Sequence, residues 1–145
     1  MKQADFYILP CADQEGKFDF LGKLLGRILG GGHQIYLHCN DQFSGERTAQ
    51  ALWQFRDTSF LANALSSEQT SAPITIGWGD QGADHTDVLI NYSDTIPASA
   101  EKFQRVVEIV IQQPEVLELS RKRYKDYKQQ GFKIKHNDMR KGQQR

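Results

Sequence analysis

Cysteine and long hydrophobic runs are both scarce in this sequence. Two cysteines, Cys11 and Cys39, occur in 145 residues, which is too few for a disulfide scaffold or a four-cysteine zinc site. The longest apolar runs cover only a few residues, whereas a transmembrane helix needs about 20. The first residues also lack the basic start and apolar stretch of a secretory signal. These absences predict a cytoplasmic protein that has no membrane contact.

Apolar residues are nevertheless abundant enough to build a core. Hydrophobic residues make up 39% of the chain and charged residues 25%. At a length of 145 residues, this composition predicts a single ordered domain and argues against general disorder.

Short β-branched segments alternate with amphipathic segments along the chain. Strands are expected at residues 5–9, 33–39, 73–77 and 87–92. Helices are expected at residues 18–28, 45–56, 99–111 and 115–130, where apolar residues recur at helical spacing. The weakly patterned residues 57–72 indicate a short helical turn followed by a loop.

Strands that alternate with helices predict an α/β fold: a single three-layer domain with a mostly parallel central sheet flanked by helices. This domain would be Rossmann-like without a nucleotide site, and it would cover residues 1–135. Residues 136–145 would then form a basic, flexible C-terminal tail.

Charge is unevenly distributed, although the 18 basic and 18 acidic residues cancel. The segment from Arg121 to Arg145 holds ten basic and two acidic residues, a net charge of +8. The first 120 residues hold eight basic and sixteen acidic residues, a net charge of −8. Such an asymmetry is typical of a basic segment that meets an anionic partner. A solvated terminal segment explains the same charges equally well.

Motifs for catalysis or cofactor binding are missing from the sequence. The first strand-to-helix loop, residues 11–18, lacks the spaced glycines of a phosphate-binding loop and carries the carboxylates of Asp13 and Glu15. No nucleophile-elbow, zinc-protease or paired-cysteine motif occurs. The acidic loop from Asp80 to Asp87 could hold a metal ion, but it matches no known ligand spacing. The sequence therefore predicts a binding protein without catalytic residues, cofactors or metal ligands.

The segment from Leu119 to Phe132 combines cations and aromatic rings at helical spacing. One stripe (i, i+3, i+4, i+7) holds Arg121, Tyr124, Lys125 and Lys128. A neighbouring stripe, which can turn toward the core, holds Val116, Leu119, Arg123 and Tyr127. The first stripe suits an anionic ligand with an apolar anchor, because arginine binds carboxylates bidentately and an aromatic ring buries apolar surface. A solvated helix face with Tyr124 packed inward fits the same pattern, so both interpretations stay open.

Three segments carry a resemblance to a known family. They are the N-terminal strand Phe6-Tyr7-Ile8-Leu9, the segment Ala51-Leu52-Trp53 followed by Ser59-Phe60, and the pattern Arg121-x-Arg123-Tyr124-Lys125-x-Tyr127-x-x-x-Gly131-Phe132. Together they resemble the chi subunit of bacterial DNA polymerase III, colinearly to about Phe132.

The resemblance implies a small, non-catalytic subunit of the clamp-loader assembly that acts in DNA replication. Its partners would be the psi subunit and the acidic, Phe-ended C-terminal tail of single-stranded DNA-binding protein. Any association with single-stranded DNA would be indirect. The psi-facing surface would include Trp53 and Phe60, and the same surface would serve a helicase-like repair protein.

By position, the resemblance also implies a pocket for that tail, made of Val110, Arg121, Tyr124, Lys125 and Lys128. Arg121 would pair with the terminal carboxylate, and the two lysines would meet the upstream acidic residues. The sequence departs from the family at Leu117, where a lysine can stand one helical turn before the arginine. This leucine is expected to weaken the electrostatic part of the pocket unless Lys128 or the basic tail compensates.

Two alternatives belong to other classes of protein. The basic C-terminal segment would also suit a protein that binds nucleic acid directly, in which case bare single-stranded DNA would bind strongly at physiological salt. A small enzyme with a site in the loop from Asp80 to Asp87 would instead lose its activity on Asp84→Ala.

Overall fold

The structure is a computed structural model, and it describes residues 2–53, 63–65, 74–79 and 85–140. Of Trp53 and residues 63–65 it describes the backbone alone. In chain order, the described elements are β1 (Gln3–Ile8), α1 (Gln14–Gly30), β2 (Ile35–Cys39), α2 (Gln42–Trp53), β3 (Asn63–Leu65), β4 (Ile74–Trp78), β5 (Val88–Asn91), a 3-10 helix (Ala98–Lys102), β6 (Arg105–Val110), α3 (Pro114–Gln129) and β7 (Lys133–Asp138). None of the helices in these ranges is long and apolar enough to cross a bilayer.

The described strands form one sheet in the order β3-β4-β2-β5-β6-β1-β7. Every neighbouring pair is parallel. The first strand lies between two strands from the end of the chain, and Ile8 on β1 faces Val110 on β6 and Asp138 on β7 in the register. The prediction of an α/β fold with a parallel sheet is therefore confirmed.

Helices cover both faces of the sheet. The first face packs against α1 and α2, and its buried core includes Leu21, Leu25, Leu37, Leu52 and Ile76. The second face packs against α3 and the 3-10 helix, and its buried core includes Phe6, Tyr36, Phe103 and Tyr127. Successive residues of a strand point to opposite faces, which is why Tyr36 and Leu37 belong to different core clusters. The three layers are those expected from the sequence.

Helix α1 begins and ends where its flanking residues predict. The Asp13 carboxylate accepts a hydrogen bond from the backbone N–H of Gly16 at 2.9 Å, which caps the first turn. Beyond the last turn, Gly32 has a φ of 85°, a left-handed conformation that glycine adopts without steric strain. Because Asp13 caps the N-terminus, a carboxylate lies where phosphate binds in nucleotide-binding loops.

The helix predicted at residues 99–111 is wrong. This segment forms the 3-10 helix and then β6, although the apolar residues on which the prediction depended are buried: Phe103, Val106, Val107, Val110 and Ile111. β6 is an interior strand that is covered on both faces, so its apolar residues form a nearly continuous run. Such a run also matches helical spacing and cannot be separated from a buried helix by periodicity.

Strand β3 lies in the weakly patterned stretch, where no strand was expected. It covers three residues, too few for a periodic signal to form. The helical turn expected around residues 59–61 lies outside the described residues.

Strand β7 contains the first residues of the expected tail. It runs through Asp138 and pairs with β1 along its length, three residues past the expected domain boundary at residue 135. A polar sequence can form this strand because the pairing uses backbone groups and an edge position tolerates charges such as Lys133 and Lys135. Residues 141–145 lie outside the described part, and a flexible tail there stays a prediction.

Candidate functional site

A groove opens between α3 and β7 on the second face of the sheet. Its volume is about 460 Å³, within the range of about 300–1,000 Å³ that is common for ligand sites. The apolar part of its lining comes from Phe6, Ile8, Val110 and Leu117, and the cationic part comes from Arg121, Lys125 and Arg140. This lining fits a ligand that combines an apolar group with carboxylates.

The base of the groove is set by the sheet register. Ile8 and Val110 lie side by side on β1 and β6, and Phe6 lies on the same face of β1 as Ile8 because the two are separated by two positions. Phe6 and Val110 are also core residues, with 2% and 3% of their surfaces exposed. The apolar base is therefore continuous with the rigid core.

Aromatic rings connect the two sides of the groove. The ring of Tyr124 on α3 stacks on the ring of His136 on β7, with centroids 5.5 Å apart and planes 27° apart. Phe6 lies beneath both, with its centroid 6.5 Å from Tyr124 and 5.8 Å from His136. Rings at these separations attract one another. They hold α3 against the edge strand at the groove.

A buried carboxylate fixes α3 on the sheet. Glu108 on β6 is 2% exposed and accepts three hydrogen bonds: from Arg123 Nη1 at 2.6 Å, from the Tyr127 hydroxyl at 2.6 Å and from Asn91 Nδ2 at 2.8 Å. A buried charge requires such pairing. Burial, together with the neighbouring Glu108 charge, raises the pKa of Tyr127 well above its usual value, so its hydroxyl remains a donor.

The residues predicted for the tail pocket fall on the groove, with one exception. Val110, Arg121, Tyr124 and Lys125 all line it. Lys128 does not, but its Nζ lies 5.7 Å from the centroid of the Tyr124 ring, close enough for a cation–π contact. The side chain of Trp53 and all of Phe60 lie outside the described residues, so the expected psi surface stays a prediction.

Several groove residues were missed by sequence reasoning. Phe6 and Ile8 carry the alternation of a strand, but nothing in the sequence places β1 next to β6. Ser120, His136 and Arg140 were also missed, the last two because their segment was expected to be a tail. Leu117 had been singled out only as a departure from the family.

A second groove, of about 500 Å³, lies on the first face of the sheet. It contains Phe43, which is 68% exposed, and the guanidinium of Arg47 lies 5.5 Å from the centroid of that ring. The groove is lined by both Lys17 and Asp94, so it has no single sign of charge. An anionic ligand would meet charges of both signs there, whereas the charged side chains that line the groove beside α3 are cations.

The acidic loop does not show a metal site in its described part. Asp87 accepts a hydrogen bond from the backbone N–H of Gln34 at 2.9 Å, and its carboxylate lies 3.1 Å from Nδ1 of His33. Asp80 and Asp84 lie outside the described residues. Within the described ranges, no group of three or more His, Cys, Asp and Glu side chains could hold a metal ion.

Taken together, the fold and the groove define a parallel α/β protein with an apolar, cation-rimmed groove on one face. The sequence matches the family of the "DNA polymerase III chi subunit, HolC" over residues 1–135. The chain therefore belongs to the DNA polymerase III chi subunit family, whose members are accessory subunits of the polymerase assembly in DNA replication.

Two relatives carry the name DNA polymerase III subunit chi. The one from Pseudomonas aeruginosa is 31% identical over 134 residues, which cover 92% of this chain and 94% of the relative. The one from Escherichia coli K12 is 28% identical over 141 residues, which cover 92% of this chain and 96% of the relative. The match thus extends over nearly the whole length of both proteins.

A solved structure shares the fold at low sequence identity. It is the C-terminal domain of the DEAD-box protein Dbp5, with a TM-score of 0.59 and 12% identity, covering 96% of this chain and 91% of that domain. At this identity the likeness concerns the arrangement of helices and strands.

Proposed function

We propose that the groove beside α3 binds the acidic, Phe-ended C-terminal tail of single-stranded DNA-binding protein. The observation that carries the proposal is the convergence of Val110, Arg121, Tyr124 and Lys125, from β6 and α3, on one groove. A peptide with a terminal phenylalanine offers an aromatic ring, a free carboxylate and upstream acidic residues. Each of these has a chemical counterpart in the lining.

The apolar part of the groove receives the ring. Burying a phenylalanine side chain against Phe6, Ile8 and Val110 contributes about 1.5–3 kcal/mol. The guanidinium of Arg121 takes the terminal carboxylate, since its planar donors match two carboxylate oxygens. Lys125 faces the upstream acidic residues, and Lys128 adds positive charge beside Tyr124.

The chain then acts as an adaptor and performs no chemistry of its own. One surface, including Trp53 and Phe60, binds the psi subunit and so connects the chain to the clamp loader. The groove binds the tail of single-stranded DNA-binding protein. That protein coats the DNA, so contact of this chain with DNA is indirect. Two linked contacts raise the effective concentration of the loader at the template, which needs only modest affinity at each site. The psi surface also accommodates a helicase-like repair protein.

Fluorescence anisotropy of a labelled acidic peptide ending in phenylalanine tests the proposal. The wild-type protein is expected to bind saturably, and Arg121→Ala is expected to weaken binding about tenfold or more, since a charged hydrogen-bonded contact is lost. Lys122→Ala is the matched control because Lys122 is the exposed neighbour of Arg121 on α3 and does not line the groove.

Two outcomes would overturn the proposal. One is a folded wild-type protein that does not bind the peptide, and the other is an equal loss of affinity in Arg121→Ala and Lys122→Ala. A gel shift with bare single-stranded DNA separates the alternative, because direct nucleic-acid binding predicts a strong complex at physiological salt.

A further inference from the structure

Arg140 brings a positive charge to the side of the groove opposite α3. It lies two residues beyond the end of β7 and lines the groove together with Arg121 and Lys125. No carboxylate occurs among the described residues that line this groove. On α3, the position one turn before Arg121 is the uncharged Leu117. Acidic groups of a ligand therefore find no cation at that position of α3, but they find one on the β7 side, at Arg140.

The Arg140 guanidinium is held by a neighbouring carboxylate. Its Nε and Nη2 donate to the two oxygens of Asp138, each at 2.9 Å, and the backbone N–H of Arg140 donates to the same carboxylate at 3.0 Å. Both side chains are partly exposed, at 48% for Arg140 and 30% for Asp138. Because solvent reaches and screens this ion pair, a second carboxylate can compete with Asp138 for the guanidinium.

The position of β7 makes this exchange geometrically available. His136, two residues before Asp138 on β7, stacks on Tyr124 of α3. This contact holds the end of β7 beside the residues that face the peptide. Arg140 thus stands at the rim of the same groove. The N–H donors along one edge of its planar guanidinium already bind the carboxylate of Asp138.

We propose that Arg140 binds the acidic residues upstream of the terminal phenylalanine, and that Asp138 competes with them for its guanidinium. The inference depends on the proposed tail-binding function and adds a second wall to that site. Arg121 recognises the end of the tail, and Arg140 recognises the charge that precedes it. Asp138 lowers the affinity for any ligand that lacks enough negative charge to displace it.

A cycle of protein and peptide variants tests this assignment. Two labelled peptides end in phenylalanine, and they differ only in that the upstream aspartates of one are replaced by asparagines. Arg140→Gln is expected to weaken binding of the acidic peptide about threefold to fivefold and to leave the neutralised peptide unchanged. Asp138→Asn is expected to tighten binding of the acidic peptide about twofold to threefold, and to have no effect in the Arg140→Gln background.

The inference is overturned if Arg140→Gln leaves the acidic peptide unaffected or weakens both peptides equally. It is also overturned if Asp138→Asn acts equally with and without Arg140. Arg121→Ala separates this failure from failure of the proposed function: if Arg121→Ala weakens binding and Arg140→Gln does not, only the inference about β7 fails. If the wild-type protein does not bind the peptide, or if Arg121→Ala leaves the affinity unchanged, both the proposed function and the inference about Arg140 are overturned. Far-ultraviolet circular dichroism confirms that each variant is folded.

Discussion

The guanidinium of Arg123 donates a hydrogen bond of 2.6 Å to the buried carboxylate of Glu108, and this contact sets the rotation of α3. The other terminal nitrogen, Nη2, donates to the backbone oxygen of Ser93 at 2.9 Å. Tyr127 is the buried residue of this helix, so the hydrogen bonds to Glu108 add polar anchoring to the packing of half-buried residues such as Val116 and Leu117. With Arg123 and Tyr127 turned to the sheet, the stripe that begins at Arg121 faces the groove.

Removing the Tyr127 hydroxyl is predicted to destabilise the protein. In Tyr127→Phe, the buried Glu108 carboxylate loses a donor at 2.6 Å, and we expect the free energy of unfolding to fall by about 1.5–3 kcal/mol. Tyr124→Phe is the matched control on the same helix, and its effect should stay within about 0.5 kcal/mol. Urea unfolding followed by circular dichroism measures both. Equal losses in the two variants would mean that Glu108 does not depend on this hydroxyl.

Alkaline pH is predicted to destabilise the fold through Cys39. Burial raises the pKa of its thiol from 9.0 to about 11. Between these values the unfolded chain has released the proton and the folded chain retains it, so stability falls as pH rises through this window. One such proton changes the free energy of unfolding by about 1.4 kcal/mol per pH unit.

The Cys39→Ala variant isolates this effect. We expect its free energy of unfolding to decline less steeply than that of the wild type between pH 9 and 11. Tyr36→Phe is the comparison, because burial raises the pKa of Tyr36 from 10.0 to about 12 and its window lies higher. If the Cys39→Ala and wild-type curves run parallel throughout, the thiol is not responsible.

Helical periodicity predicted which side chains of α3 share a face, although it left open whether the stripe that begins at Arg121 meets a ligand or solvent. The stripe of Arg121, Tyr124 and Lys125 lines the groove, and the neighbouring stripe places Arg123 and Tyr127 against the sheet. Two residues are exceptions. Lys128 shares the stripe of Arg121 but does not line the groove, and Leu119, grouped with the stripe that can turn toward the core, is 37% exposed. A helix carries its pattern within a few residues, so local sequence determines which side chains share a face.

The rest of the groove depends on contacts between distant parts of the chain. Val110 was placed in the pocket by family resemblance, while its own element was predicted as a helix and is the interior strand β6. His136 and Arg140 reach the groove because β7 pairs with β1, and this pairing joins backbone groups that leave no pattern in a polar sequence. Such registers follow from the folded sheet and not from local propensity.

Substitution of Leu117 is predicted to strengthen binding of an acidic tail. Leu117→Lys adds a cation to the lining, one turn before Arg121, and we expect the Phe-ended acidic peptide to bind about threefold more tightly at low salt. Leu117→Gln controls for the loss of apolar surface. The difference between the two variants should disappear near 1 M salt, where charges are screened beyond about 3 Å. If Leu117→Lys binds no more tightly than Leu117→Gln at low salt, this position does not contribute to the electrostatics of the groove.

The most direct measurement compares the acidic peptide with a free C-terminal carboxylate and the same peptide with a C-terminal amide. The wild-type protein should bind the free acid at least about tenfold more tightly, because the amide removes the charge that Arg121 pairs with. Arg121→Ala should bind both forms with the same low affinity. A wild-type protein that binds the amide as tightly as the acid would contradict the account, because the groove would then not recognise the end of a tail.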